Sequence, residues 1–259
     1  MIQITPSQMI TLHNWFTPEP VCWLVGMHVL NTGNGACFVD RWPEPRAVLV
    51  DSAGNCSLLG DPDTLQPEDL KSRIQGFLDA PEQFEPILKK SFPDLKVWDR
   101  VLLELNQEPS LSNPDGFAIR RLESEDTYNL WGLTPESAWI SKTWGGPPGL
   151  AASGCAWGAF SDGQLVSVAA TWYLGDVHEE LGVVTEAAFR GRGLSAACAA
   201  SLCADVRSRG HQPTWSTSPD NQASLCVAEK IGFSITGKAL LYVVGAPIPE
   251  PPTEDNLSG

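Results

Sequence analysis

Residues 183–195 read Val183-Val184-Thr185-Glu186-Ala187-Ala188-Phe189-Arg190-Gly191-Arg192-Gly193-Leu194-Ser195. An apolar, β-branched run from Leu181 to Thr185 enters a turn with two glycines. An alanine-rich stretch, Leu194 to Arg207, then reads as a helix. Strand, glycine turn and helix start together predict an anion site. The first amides of a helix have no intrahelical acceptor, and the aligned peptide dipoles add partial positive charge there. Gly191 and Gly193 let the backbone approach a phosphate with no Cβ in the way, and Arg190 and Arg192 add full charges. The turn reads as a grip for a pyrophosphate.

Two phosphate loops are excluded. The dinucleotide pattern G-x-G-x-x-G fails because Ala196 stands three residues after Gly193, and no Gly-Lys-Ser/Thr triplet is present. A second stretch, Asn221-Gln-Ala-Ser224-Leu-Cys-Val-Ala-Glu-Lys-Ile-Gly232-Phe233, opens like a capped helix and closes on a glycine suited to a left-handed C-terminal cap. A strand-like Pro213-Thr-Trp-Ser-Thr217 lies between the two stretches. Arg190-Gly191-Arg192-Gly193-Leu194-Ser195 resembles the coenzyme A loop of the GCN5-related N-acetyltransferases, Gln/Arg-x-x-Gly-x-Gly/Ala. Ser195 departs from its last position, but serine is also small and can cap a helix. The Asn221 to Phe233 stretch resembles the helix after the fifth strand of that superfamily. Leu181 to Phe233 is thus similar to its acetyl-coenzyme A half. A narrower resemblance, over roughly residues 139–244, is to the branch containing zwittermicin A-type acetyltransferases. It is carried by Glu180-Leu181-Gly182, Thr185, the Arg190 to Leu194 loop, Pro213-Thr214-Trp215, Asn221, Ser224, Ala228-Glu229-Lys230 and Gly232-Phe233.

The 259 residues suffice for one large or two ordinary domains. A net charge of −14 argues against nucleic acid and anionic membranes as partners and suits a cationic acceptor. No apolar run is long enough to span a bilayer, and no secretory signal is evident at Met1 to Gln8, so the expected compartment is the cytoplasm. None of the seven cysteines forms a C-x-x-C pair, which points to small core filler in a reducing compartment; no metal is expected.

The expected fold is α/β (α+β), a mixed central sheet flanked by helices. Residues 1–112 read as a smaller N-terminal α/β domain without an assignable role, with strands at 36–42, 47–51, 55–59 and 96–104. Their element order would suit a degenerate half of the same fold. The turn-rich 106–115 reads as a linker. Residues 116–245 are the expected acetyltransferase domain, with a hairpin over 155–173 turning at Ser161-Asp162-Gly163, a flexible loop at 145–149, and strand, helix, strand, helix and two more strands over 180–244. Residues 246–259, with four prolines, are expected to be a disordered tail.

The resemblance implies roles residue by residue. Backbone groups of Val183, Val184 and Thr185 would bind the pantetheine arm of acetyl-CoA and polarise its thioester. Arg190, Gly191, Arg192, Gly193, Leu194 and Ser195 would hold the pyrophosphate. Asn221 and Ser224 would face the pantetheine from the last helix. Glu180, with Glu179 as the alternative and Glu186 as a weaker one, stands where relatives place a strand-four base. Ala228 occupies the position where many relatives carry a tyrosine acid; Tyr173 and Ser216 are candidate substitutes. Trp139 and Trp144, near the 145–149 loop, could wall an acceptor pocket. The implied activity is acetyl transfer from acetyl-CoA to a primary amine of a small molecule, polyamine-like or amino-sugar-like. A protein or peptide amine, and a non-enzymatic acyl-CoA-binding module, stay open, as does a homodimer.

Overall fold

The structure is a computed structural model and describes residues 1–109 and 113–250. Among these, twelve strands join into one sheet in the order β1-β2-β3-β4-β5-β12-β6-β11-β10-β9-β8-β7. After β1 (Ile2–Gln3), α1 (Pro6–Met9) and α2 (Val25–Thr32), the first half runs through β2 (Ala36–Val39), β3 (Ala47–Ser52) and β4 (Asn55–Gly60) as an antiparallel meander. Helix α3 (Pro67–Lys71) crosses to β5 (Gly76–Asp79), parallel to β4, and α4 (Glu85–Ser91) leads to β6 (Lys96–Leu105).

The second half repeats this order at larger scale. β7 (Ala118–Arg121) is followed by α5 (Thr127–Trp131), α6 (Pro147–Ala152) and a meander of β8 (Ala156–Ser161), β9 (Gln164–Leu174) and β10 (His178–Thr185). Helix α7 (Leu194–Ser208) crosses to β11 (Gln212–Thr217), parallel to β10, and α8 (Gln222–Lys230) leads to β12 (Phe233–Val244). The β8–β9 hairpin turns on Asp162 (φ 49°) and Gly163 (φ 81°), both left-handed, as a two-residue hairpin of this twist requires.

The halves exchange their last strands. β6 pairs along its length with β12 and also with β11 of the second half, while the end of β12, Tyr242 to Val244, pairs with β5 of the first. Only that shared end of β12 is continuously buried. The expectation of two closing strands over 180–244 is therefore corrected. Gly237 marks a bulge opposite Leu102 rather than a turn, so 233–244 stays one strand, and the second strand of the pair is β6. The expected flexible loop at 145–149 is corrected too. Gly145 caps the preceding 3₁₀ turn in the left-handed region, and Pro147 starts α6 two residues later. Of the expected disordered tail, residues 251–259 lie outside the described residues.

Helices α3, α4, α7 and α8 cover one face. Leu70, Leu88 and Tyr242 build that core in the first half, and Leu103, Leu202, Trp215 and Phe233 in the second. The other face is concave. Helix α2 touches both β3 and β9, which have six strands between them in the sheet order, so the sheet curls around it. His28 on α2 is fully buried and fastens this arrangement. Its Nε2 bonds to the Thr143 carbonyl at 2.9 Å and its Nδ1 accepts the Leu174 amide at 3.0 Å. Glu19 adds a second clasp, accepting the amides of Asp176, Val177 and His178 at 2.8–3.0 Å.

Burial lowers the His28 pKa from 6.5 to about 4. The unfolded chain therefore binds the extra proton first as pH falls. His28 contributes stability that is complete above pH 6.5 and is lost between 6.5 and about 4. The loss is expected to reach roughly 3 kcal/mol, and urea unfolding of His28→Gln should lack that component. Equal pH slopes for the two proteins in this window would contradict the assignment.

Candidate functional site

β10 and β11 pair only over His178↔Gln212, Glu179↔Pro213 and Glu180↔Thr214. A bulge follows at once, between Glu180 and Leu181. Beyond it, Leu181 to Thr185 pair with β9 alone, and Trp215 to Thr217 with β6 alone. Two parallel strands thus part in the middle of the sheet, and the edge of β10 that carries Val183, Val184 and Thr185 is left open toward the gap.

At the C-terminal end of β10 the chain enters the glycine turn. Gly191 (φ 75°) and Gly193 (φ 76°) are both left-handed. Gly193 is the N-cap of α7, and no side chain caps that helix start. The sequence-based idea that Ser195 caps the helix is corrected. Its hydroxyl lies 2.7 Å from Thr185 Oγ1, which in turn contacts Ser167 Oγ at 2.7 Å, so Ser195 ties α7 to β10 and leaves the first-turn amides uncapped. Arg190 donates from Nε to the Thr185 carbonyl at 3.2 Å and braces the loop. Arg192 is exposed and lies over the Phe189 ring, 5.5 Å from its centroid. Leu194 is buried under the helix start. A Cβ on Gly193 would stand 3.9 Å from Lys230 Nζ, at the end of α8. Lys230 is a cation at this turn that sequence reasoning missed. Only the packing of α8 against α7 brings it there.

Asn221 caps α8 by accepting the Ser224 amide at 3.1 Å, and Ser224 Oγ accepts the Trp215 indole N–H at 2.9 Å. Both therefore position α8 against β11, on the far side of the gap.

The two adjacent glutamates point to opposite faces, as neighbours on a strand do. Glu179 faces α7 and is fully buried. It accepts from Thr171 Oγ1 at 2.5 Å and from Arg209 at 2.8 and 3.1 Å, and lies 2.8 Å from His211 Nδ1. Glu180 faces the concave side and is 4% exposed. It accepts the Trp23 amide at 2.7 Å and the Ser216 hydroxyl at 2.6 Å, and Ser216 accepts from Arg100 Nη2 at 2.9 Å. Burial pushes its carboxyl above the usual value, against the lowering pull of Ser216, the Trp23 amide and Arg100. Tyr173 stands opposite Glu180 on β9 and is buried beside Trp23. Asp79, at the end of β5, is pushed up to about 6 by burial, with the Glu180 charge adding to the effect. Trp23, Asp79 and Arg100 all come from the first half, so this centre is built by both.

Glu186, the weaker base candidate, lies after the strand and accepts from the Thr134 amide and hydroxyl at 3.2 Å. Trp144 is core, its indole bonded to the Thr171 carbonyl at 2.6 Å. Trp139 is different. It rests against Gly182, where a Cβ would meet its ring at 3.2 Å, and it packs edge-on to Trp172. It flanks the strand just past the bulge. Ala228 is the fully buried residue of α8. Six of the seven cysteines are buried and none is paired; Cys226 is exposed.

The GNAT acetyltransferase family model matches residues 24–242. The chain belongs to the GNAT acetyltransferase family. It is 37% identical over 215 residues to an uncharacterized N-acetyltransferase in the mutA 5′ region of Streptomyces virginiae, covering 82% of this chain and 90% of that one. A GCN5-related N-acetyltransferase-like protein from Streptococcus suis has the same fold. Its TM-score is 0.71 at 20% identity, over 92% of this chain and 98% of the other. A tandem GNAT protein from the clavulanic acid biosynthesis pathway matches with a TM-score of 0.58 at 14% identity, over 96% and 99%. The GNAT match begins at residue 24 and so takes in most of the first half as well as the second. GNAT membership makes the chain an acyl-CoA-dependent acetyltransferase. No helix among the described residues is long and apolar enough to cross a membrane.

The exposed cations of the turn can be tested singly. Arg192→Gln and Lys230→Gln should each raise the dissociation constant for coenzyme A about tenfold, the scale of one charge-assisted hydrogen bond (~1.5 kcal/mol). Titration calorimetry on the folded variants reads this directly. Unchanged affinity in both would place the pyrophosphate elsewhere. Substituting Gly193 is a poorer probe, because any side chain at φ 76° strains the backbone whether or not a phosphate is there.

Proposed function

We propose that the protein transfers the acetyl group of acetyl-CoA to a primary amine of a small molecule, with Glu180 as general base. The parting of β10 and β11 immediately after Glu180 carries this reading. Pantetheine would lie along Val183, Val184 and Thr185 in the gap, and the pyrophosphate against residues 190–195, with Asn221 and Ser224 on the opposite wall. A thioester at the bulge would then meet the open β10 edge on one side and the Glu180 carboxylate on the concave side. An amide of that edge would polarise the carbonyl oxygen.

In the transfer step the amine nitrogen attacks the thioester carbon. Its surplus proton passes to Glu180, directly or through one water. The C–S bond then breaks, and the sulfur keeps the electron pair as thiolate and afterwards takes up a proton. Ser216, hydrogen-bonded to Glu180, offers a path for that proton in a chain with alanine at position 228. A carboxyl raised above its usual range is the better base near neutral pH. Glu179, whose oxygens are held by Thr171, Arg209 and His211, is assigned to fixing the turn between α7 and β11 and not to proton transfer. Residues 1–112 are read as a degenerate GNAT-like half that closes the concave side of the site.

General base catalysis contributes about 100- to 10,000-fold. Glu180→Gln should therefore lower kcat by at least about 100-fold at pH 7 while leaving the acetyl-CoA dissociation constant within about twofold. The wild-type rate should fall on the acid side as Glu180 protonates, at a pH above that of an ordinary glutamate, and that acid limb should vanish in Glu180→Gln. A variant with near wild-type kcat and the same acid limb would remove Glu180 from the chemistry.

A further inference from the structure

Arg100 is an anomaly in this fold. It lies on the concave face of β6 next to the Glu180 centre, partly buried, with its guanidinium over the Trp98 ring at 4.3 Å. Burial alone lowers its pKa. Its one side-chain hydrogen bond is from Nη2 to Ser216, and the nearest carboxylate acting on it, Glu180, lies across that hydroxyl rather than in direct contact. Its Nε–H is buried with no partner. A second orphan donor belongs to the same centre: the buried indole N–H of Trp23, whose own backbone amide is bonded to Glu180. Buried guanidinium groups are normally paired, and a buried N–H without an acceptor costs free energy. Fork-shaped donors of this kind match a carboxylate.

The geometry points to an acceptor that carries a carboxylate as well as its amine, an amino-acid-like molecule whose carboxylate is held by Arg100 and the Trp23 indole while its amine faces Glu180. A single hydroxyl, Ser216, separates the Glu180 carboxylate from the Arg100 guanidinium. That spacing suits an amine and a carboxylate on the same or neighbouring carbons. A polyamine would instead bring like charge beside Arg100. This assignment rests on the acetyl-transfer reading and narrows its substrate. Arg100 is a specificity residue of the second half's reaction supplied by the first half, through the exchanged strand β6.

The test uses the full chain with acetyl-CoA and a panel of the standard amino acids and β-alanine, each paired with its decarboxylated amine, with spermidine and kanamycin alongside. Free thiol release reports turnover. Calorimetry with coenzyme A-saturated protein reports binding. Carboxylated acceptors should exceed their decarboxylated partners by at least about tenfold in kcat/KM. Arg100→Gln should abolish that preference mainly through KM, and Arg100→Lys should keep part of it. Retained coenzyme A affinity certifies that each variant is folded. Amino acids that bind in calorimetry, and do so only with Arg100 intact, support the site even without turnover, and in that case the acetyl-transfer reading is what fails. Decarboxylated amines, spermidine or kanamycin turning over as well as or better than amino acids would overturn the inference and leave acetyl transfer standing. No binding and no turnover of any carboxylated acceptor would also overturn it.

Discussion

A strand has two edges, and β11 gives one of them to β6 from Thr214 to Thr217. Its other edge meets β10 only as far as Thr214, where the bulge at Glu180/Leu181 turns β10 away while β11 stays with β6. Everything at the site follows from this parting. The open edge of β10, the turn at its end, the uncapped start of α7 and the carboxylate of Glu180 are placed around one gap. Because β6 belongs to the first half, the gap depends on a strand exchanged between halves. Removing the first half would take away the brace of β11 together with Trp23, Asp79 and Arg100.

The first half has the same succession of elements, and charge and helix length separate it from the second. Its connection after β4 reads Asp61-Pro-Asp-Thr-Leu-Gln-Pro67, without glycine. Helix α3 is five residues long and carries Glu68 and Asp69 in its first turn. Asp69 is already paired with the N-terminal ammonium at 2.6 Å. Carboxylates at a helix start occupy the place where a phosphate would sit and repel it. The fifteen-residue α7 carries no acidic residue in its first turn and no side-chain cap. One topology therefore leaves an uncapped helix start free of carboxylates in the second half and an acidic one in the first, and the first half supplies side chains to the concave face.

Local chemistry was legible in the sequence. The glycine turn, the helix beginning at Leu194 and the Asn221-capped helix ending before Gly232 are set by residues a few positions apart, where capping and backbone preference act. The exchange of β6 and β12 was not legible, because it is a pairing of remote segments and each strand alone reads as an ordinary alternating run. Glu179 and Glu180 could not be ranked from spacing, since their difference lies in which face of the sheet each one meets. Lys230 was legible only as part of a family resemblance, without a place at the turn, and Arg100 left no local signal. Arg100 alternates with Trp98 and Leu102 on one face of β6, and that face becomes interior only when the sheet curls around α2.

Amide hydrogen exchange of the full chain, measured with and without acetyl-CoA, tests the gap most directly. Binding should slow exchange at Leu181 to Thr185 and at Gly191 to Ala196, with α3 and β5 unchanged. Protection centred on residues 61–79 instead, or none along β10, would contradict the claim that the parting of β10 and β11 is the acetyl-CoA site.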